Sequence, residues 1–549
     1  MANGQASRTG LTSFIHALGG LLSRLLEGIF RRKSVAQIQS EHEHGELKRT
    51  LGALNLTLLG IGCIIGTGIF VLTGRAAAEF AGPGIMISFI ITGTLCAFVA
   101  LCYAELASVL PVSGSAYSYS YASMGEIMAW VMGLLLILEY GLAGSTVAVG
   151  WSGYLVSLLK DFGISIPAAL TAAPGVEVKD AAGNVIATGI MNLPAMIALL
   201  AVTALLVRGV TESTTVNNIV VFIKVGVVVA FIGIGAFYVN PDLWSPLIPP
   251  QDPAPPAGTP MDVWSQIWRA LVGIITGDTG SQYGVSGVIH AAAVIFFAYL
   301  GFEAVSTAGA ESRNPARDMP IGILASLAIC TVLYILTSAV LVGIVPYQSL
   351  DNPAPIALAV NEIGLGWFAI LVKIGALAGL SSVMLVLLYG QTRIFYTMSR
   401  DGLLPDVLSR VHPKFQTPWV NTVLVGFLAC LAAGFMSLDK LADLSNVGAL
   451  TAFGVVCATV IYLRFTSPGL ERPFRVPLYP VVPILGVLMC GLLLLTLMRT
   501  DHTRNFFLIY LAVGIAVYFL YSMRSSKLGK GIVVTGHEAE PMELPHKGD

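Results

Sequence analysis

Residues 58–71 read Leu-Leu-Gly-Ile-Gly-Cys-Ile-Ile-Gly-Thr-Gly-Ile-Phe-Val. The segment is apolar enough for the inside of a bilayer, yet it holds Gly60, Gly62, Gly66 and Gly68. Each glycine in a helix interior costs about 1 kcal/mol relative to alanine. A helix whose only task is to span would not gather four of them at its centre. The cluster predicts a break that exposes backbone N–H and C=O groups at membrane depth. Such groups are tolerated there only where they line a cavity or meet a ligand.

Apolar runs of about 20 residues, long enough for a hydrocarbon core of about 30 Å, recur along the chain. Only 11% of the 549 residues are charged, against about 25% in ordinary soluble domains. The fold class is therefore an all-α integral membrane protein. A net charge of -1 argues against a nucleic-acid partner. Cys63, Cys96, Cys102, Cys330, Cys430, Cys457 and Cys490 all lie in apolar segments. They read as small buried hydrophobes, without metal-type spacing or an outer pair. His42 and His44, with Glu41, Glu43 and Glu46, read as a solvated tail rather than a metal site.

Hydropathy predicts twelve spans, near 53–76, 83–109, 126–159, 189–208, 216–239, 285–310, 320–345, 365–398, 418–437, 444–465, 479–498 and 505–523. An even number puts both termini on one side. Lys and Arg concentrate in alternate loops, including Arg313, Arg317, Arg393, Arg400, Arg410 and Lys414. The positive-inside rule then places both termini in the cytoplasm, with Arg499 and Arg504 as weak exceptions. The setting is a multi-pass plasma membrane protein, with a bacterial inner membrane the expected case.

Residues 1–50 form a cytoplasmic tail and are not a cleavable signal. Within them, 11–30 is either an amphipathic piece on the membrane surface or an unstructured tail. The outer loops 160–188 and 240–284 are long. The second is proline-rich, with a short helix expected near Trp264–Ile275. Residues 524–549 form a polar, unstructured cytoplasmic tail.

A second segment shares the character of the first. Residues 294–305 read Val-Ile-Phe-Phe-Ala-Tyr-Leu-Gly-Phe-Glu-Ala-Val, again with a glycine, aromatics and a carboxylate inside an apolar run. It lies in the sixth span, five after the first. Five is odd, so two five-helix repeats (51–240 and 285–465) must have opposite topology, with the last two helices at 479–523. That is the 5+5 inverted-repeat logic of the LeuT-type fold, with binding where broken helices 1 and 6 meet.

Several separated motifs carry a resemblance. They are Gly60 to Phe70, Tyr103-Ala-Glu-Leu106, Pro111-Val-Ser-Gly-Ser-Ala-Tyr117, Phe297-Ala-Tyr-Leu-Gly-Phe-Glu303 and Gln391 to Pro405. Together they resemble the amino acid–polyamine–organocation superfamily, and within it the cationic amino acid transporter branch and its bacterial homologues. The resemblance covers about residues 48–523. It implies secondary active amino acid transport by alternating access, with spans one, two, six and seven rocking against the rest.

A zwitterionic substrate needs donors for its carboxylate. The N–H groups of Thr67 and Gly68, freed by a break at Gly66, supply them at a helix N-terminus. Its ammonium needs acceptors, which the resemblance places at the carbonyls of Ile64, Phe297, Ala298 and Leu300. Glycine-mediated helix packing is the alternative reading of either cluster alone. Two clusters at symmetric positions favour a binding site.

Lys224 lies in an otherwise apolar fifth span, where an ammonium is costly. In resembling proton-coupled transporters a lysine here stands where sodium sits in sodium-coupled relatives. Lys224 is therefore the expected proton switch. Ser381 and Ser382 leave a sodium route open, which Lys224 argues against. Met384, bulky and apolar, would favour a small neutral amino acid over arginine if it lines the pocket. Glu303 and Glu139 could steer cationic side chains, relay protons or simply be hydrogen-bonded structural groups. Glu105 reads as structural, and Lys373 has no assigned role.

No cofactor or metal is expected beyond the coupling proton. Without a Walker loop or a nucleophile–base set, neither ATP-driven transport nor an enzyme is expected. The expected partners are an amino acid and the lipid bilayer, and a small single-helix partner stays open. An exchanger on the same fold is the alternative, and an amino acid sensor or partner-dependent subunit is the alternative of another class.

Overall fold

The computed structural model describes residues 31–33, 50–112, 114–179, 184–209, 214–252, 262–276, 282–535 and 538–541. The segment 11–30 and the His42–His44 pair lie outside the described residues.

Eight helical runs are long and apolar enough to cross a membrane: Gly68–Val109, Glu126–Asp161, Val216–Tyr238, Gly284–Gly309, Pro315–Ile344, Gly366–Arg400, Leu438–Thr466 and Asp501–Ser525. Four shorter apolar helices accompany them. In chain order the elements used below are α1 (Ala53–Ile64), α2 (the run 68–81), α3 (Ile85–Val109), α4 (Ser115–Ser123), α5 (Glu126–Asp161), α6 (Leu193–Val207), α7 (Thr214–Gly235), α8 (Val263–Thr276), α9 (Gly284–Ile295), α10 (Pro315–Ile344), α11 (Pro355–Glu362), α12 (Gly366–Arg400), α13 (Trp419–Phe435), α14 (Leu438–Thr466), α15 (Val481–Leu497) and α16 (Asp501–Val517). The chain is a multi-pass membrane protein.

Two sets of helix contacts dominate the packing. α10 lies against α1 and α3, and α9 packs on α3. α5 packs on α12, α13 and α14, and α13 lies on α6. Apolar side chains also cover the outside: α7 exposes Ile219, Phe222, Ile223 and Val229. A helix apolar on its outer face as well as its inner one is solvated by lipid rather than water.

Several bounds differ from the hydropathy reading. α14 begins at Leu438, six residues before the expected 444. Its first turns carry Asp439 and Asp443, which depress hydropathy without stopping the helix. α10 begins at Pro315, where proline suits the first turn. The expected helix near Trp264 is present as α8.

The tails are more tightly held than composition implies. Lys33 Nζ is 2.7 Å from Asp401 Oδ1, and Glu126 N–H bonds to Arg31 O at 2.8 Å. Past Ser525, the Ser526 hydroxyl bonds to Glu126 at 2.5 Å and Lys527 N–H to Asp401 O at 3.0 Å. The expectation of an unstructured tail from Ser525 therefore fails here. Two buried acids need donors, and these tail residues supply them.

Candidate functional site

α1 ends at Ile64, because Ile65 adopts an extended conformation with φ -73° and ψ 96°. The chain resumes at Gly68 as a wide π-type turn, Gly68–Leu72. Single π turns inside helices recur at functional sites. Phe70 N–H bonds back to Gly66 O at 3.3 Å, so the N–H groups just before it have no helical acceptor.

The second break mirrors the first. α9 tightens into a 3₁₀ turn over Phe296–Tyr299, and Leu300 turns extended with φ -57° and ψ 135°. Gly301 sits at φ +116°, a region that favours glycine. The chain then continues as a 3₁₀ helix over Glu303–Glu311. Such lengths of 3₁₀ helix are uncommon and mark strain or a hinge.

The two breaks touch. A Cβ on Gly68 would run into the backbone of Ala298, and one on Gly301 into the backbone of Cys63. Glycine therefore permits each break to approach the other chain segment closely. Gly66 is less constrained: a Cβ there would stand 3.5 Å from Val383 of α12, an ordinary contact. Thr67 packs on Gly150 of α5, and its buried hydroxyl has no hydrogen-bond partner among the described residues.

The end of α1 leaves carbonyls that an unbroken helix would have used. Lys224 Nζ donates to Gly62 O, and to Ile65 O at 3.2 Å. The Tyr334 hydroxyl of α10 donates to Ile64 O at 2.8 Å. A cation at a helix C-terminus is favoured by the helix dipole. Lys224, fully buried, thus sits where the break creates negative potential. Beyond the break, the Tyr154 hydroxyl of α5 donates to Phe70 O at 2.8 Å. Asn446 of α14 donates to Ala293 O at 3.0 Å and Val294 O at 3.1 Å, just before the second break.

A cavity of about 340 Å³ opens on the side where α1 begins, between Asn55 and Leu59 of α1 and Tyr389 and Arg393 of α12. That volume is at the small end for ligand pockets. It reaches Cys63 and Tyr140, next to the breaks. At its mouth Arg393 lies 3.7 Å from Glu311 and over the Tyr389 ring at 4.4 Å. On the opposite side Arg75 of α2 bridges to Glu79 at 3.0 Å and to Asp439 of α14 at 2.8 Å.

Of the residues singled out in the sequence, Gly66, Thr67, Gly68, Phe297, Ala298 and Leu300 gather at the paired breaks. None of them lines the cavity, which stops at Cys63, Tyr140 and Ala304. The Ile64 carbonyl already accepts from Tyr334. Met384 is buried and outside the cavity lining. Ser381 accepts from Trp151 Nε1 at 3.0 Å and donates to Leu377 O at 2.8 Å, so its hydroxyl is used within the protein.

Glu303 accepts from Gly301 N–H at 2.8 Å and from the Tyr140 hydroxyl at 3.3 Å. Glu139 lies beside it. Glu105 is structural, as read: it pairs with Arg464 at 2.6 Å and Arg472 at 3.3 Å and accepts from Val476 N–H. Lys373 pairs with Asp161 at 2.5 Å, tying α12 to the end of α5. Tyr334, Tyr154 and Asn446 escaped the sequence reading. An asparagine inside an apolar helix was the available signal for the last.

Residues 51–518 match the family described as Amino acid permease. The methylthioribose transporter of Bacillus subtilis (strain 168) is 45% identical over 505 residues, covering 92% of this chain and 100% of that protein. The branched-chain amino acid permease BcaP of the same organism is 45% identical over 504 residues, covering 91% and 99%. Cationic amino acid transporter 4, vacuolar, of Arabidopsis thaliana is 35% identical over 447 residues, covering 81% and 68%. With a matching family profile across its helical body and close relatives along nearly its whole length, the chain belongs to the amino acid permease family of the amino acid–polyamine–organocation superfamily.

Proposed function

We propose that this protein is a secondary active amino acid transporter that couples uptake to protons. The carrying observation is Lys224 on the Gly62 and Ile65 carbonyls, at the break facing Ala298. We read the helical runs as twelve spans: Ala53–Ile64 and the run 68–81 together form the first, Ile85–Val109 the second, and each remaining run one more. This is a LeuT-type 5+5 inverted repeat. Both termini are cytoplasmic, so the cavity faces inward and the Arg75–Asp439 bridge closes the outer side.

In this reading the Thr67 and Gly68 N–H groups hold the substrate carboxylate. The Ile64, Phe297, Ala298 and Leu300 carbonyls hold its ammonium once Tyr334 gives way. A protonated Lys224 holds α1 by its C-terminal carbonyls. Loss of that proton removes the charge–dipole attraction and releases α1 to move. Met384 backs this region and favours a small neutral side chain.

The named relatives carry methylthioribose, branched-chain amino acids and cationic amino acids, so the substrate must be measured. Uptake of labelled alanine, leucine, arginine and methylthioribose into proteoliposomes tests the reading. Saturable uptake of an amino acid supports it. Uptake of methylthioribose alone would overturn it. Exchange that needs internal amino acid and ignores a proton gradient would favour the antiporter instead.

A further inference from the structure

Glu139 of α5 and Glu303 after the second break are both fully enclosed, at 2% and 1% exposure. Their carboxyl groups adjoin. Neither forms an ion pair among the described residues. Glu303 has donors of its own in Gly301 N–H and the Tyr140 hydroxyl. Among the described residues, neither oxygen of Glu139 has a donor in hydrogen-bond geometry. The other titratable groups facing the pair are Tyr103 and Cys96 of α3. The Tyr103 hydroxyl has no hydrogen-bond partner among the described residues. Ser445 of α14 donates to the Glu139 backbone carbonyl, at 3.0 Å, and not to its carboxylate. Lys224 is engaged elsewhere, on the α1 carbonyls.

Two carboxylates in contact, without a cation, in a dry interior repel one another and cannot both stay charged. One proton between them removes the repulsion and gives each a hydrogen bond. Tyr140 connects the pair to water, because it lines the cavity and its hydroxyl reaches Glu303.

We propose that Glu139 and Glu303 form a carboxyl pair that binds one proton, delivered from the cavity through Tyr140. Tyr140 Oη takes a proton from a hydronium ion in the cavity, which leaves water, as its own proton passes to Glu303 Oε1, so the tyrosine ends neutral. Glu303 follows Gly301 in the broken segment, whereas Glu139 belongs to the long helix α5. Motion of one against the other therefore parts the pair and changes its hold on the proton. This is a second proton site, separate from Lys224. It rests on the membrane-embedded reading above, and not on coupling through Lys224.

Infrared difference spectra of the purified protein in lipid nanodiscs test the proposal. A protonated carboxyl has a C=O stretch where carboxylates are silent. Wild type is expected to show such a band at neutral pH, shifted in D₂O. Glu139→Gln is expected to lose it, because Glu303 then has three donors to its carboxylate. Glu303→Gln is expected to keep a displaced band from Glu139. Tyr140→Phe is expected to slow the D₂O shift at least tenfold. A wild-type band that neither glutamine variant alters, or no band at all, would overturn the proposal. If Glu139→Gln does not fold, the same comparison with Glu303→Gln decides. The spectra need neither gradient nor substrate, so a failure of Lys224 coupling leaves their outcome intact.

Discussion

Gly68 stands so close to Ala298 that a Cβ on the glycine would overlap the alanine backbone. Two chain breaks far apart in sequence are thereby pressed together at the centre of the protein. Each supplies backbone polar groups that a continuous helix would consume. In the proposed reading, this contact lets a small zwitterion be bound largely by backbone groups.

Replacing Gly68 with alanine should therefore push the two breaks apart. Overpacking of this kind costs about 1–3 kcal/mol. Uptake is expected to fall at least about fivefold, since each 1.4 kcal/mol lost from a productive geometry is a factor of ten. Gly66→Ala, whose Cβ would meet Val383 in an ordinary contact at 3.5 Å, should be milder. Equal loss in both variants would contradict the assignment of Gly68 as the point of closest approach.

Arg75 joins α2 to α14 through Asp439 at 2.8 Å. Its side chain is 28% exposed, and partly exposed pairs are worth about 0–1 kcal/mol. Arg75→Ala should shift the population toward opening on that side by up to about fivefold. The rate of labelling of an Ala77→Cys variant by a membrane-impermeant thiol reagent would report it. An unchanged rate would mean that the bridge does not hold that side closed.

All seven native cysteines are buried and none forms a disulfide. The wild-type chain should therefore react slowly with the same reagent, and reductants should leave its melting temperature unchanged. Rapid labelling of the folded native chain would show that one of these helices opens more than its packing implies.

Tyr334→Phe removes the donor to Ile64 O. A buried acceptor left unmet costs about 1–3 kcal/mol, visible as a lower melting temperature. Added substrate should recover part of that loss, because its ammonium can take the same carbonyl. A variant as stable as wild type would show that Ile64 O finds water or another donor.

Much of the architecture was legible in the residues. Gly60, Gly62, Gly66 and Gly68 signalled the first break, and the Tyr299-Leu300-Gly301 run signalled the second. Those signals are local: apolar length sets spans, and glycine releases backbone. Lys224 was legible because an ammonium in an apolar helix must have a partner.

The partner itself was not legible. Tyr334 meets Ile64 across 270 positions, and such pairing depends on how α10 crosses α1. The Arg75–Asp439 bridge was hidden because Asp439 reads as loop by hydropathy, although it lies in the first turn of α14. Composition also misread 526–535, where Ser526 and Lys527 are held by Glu126 and Asp401.

The most direct measurement is amino acid uptake into sodium-free proteoliposomes, with and without an inward proton gradient, for wild type and Lys224→Ala side by side. The account predicts gradient-driven accumulation by wild type and its loss in the variant, with residual downhill uptake or binding showing that the variant is folded. Gradient-driven accumulation that survives in Lys224→Ala would contradict the assignment of Lys224 as the proton switch.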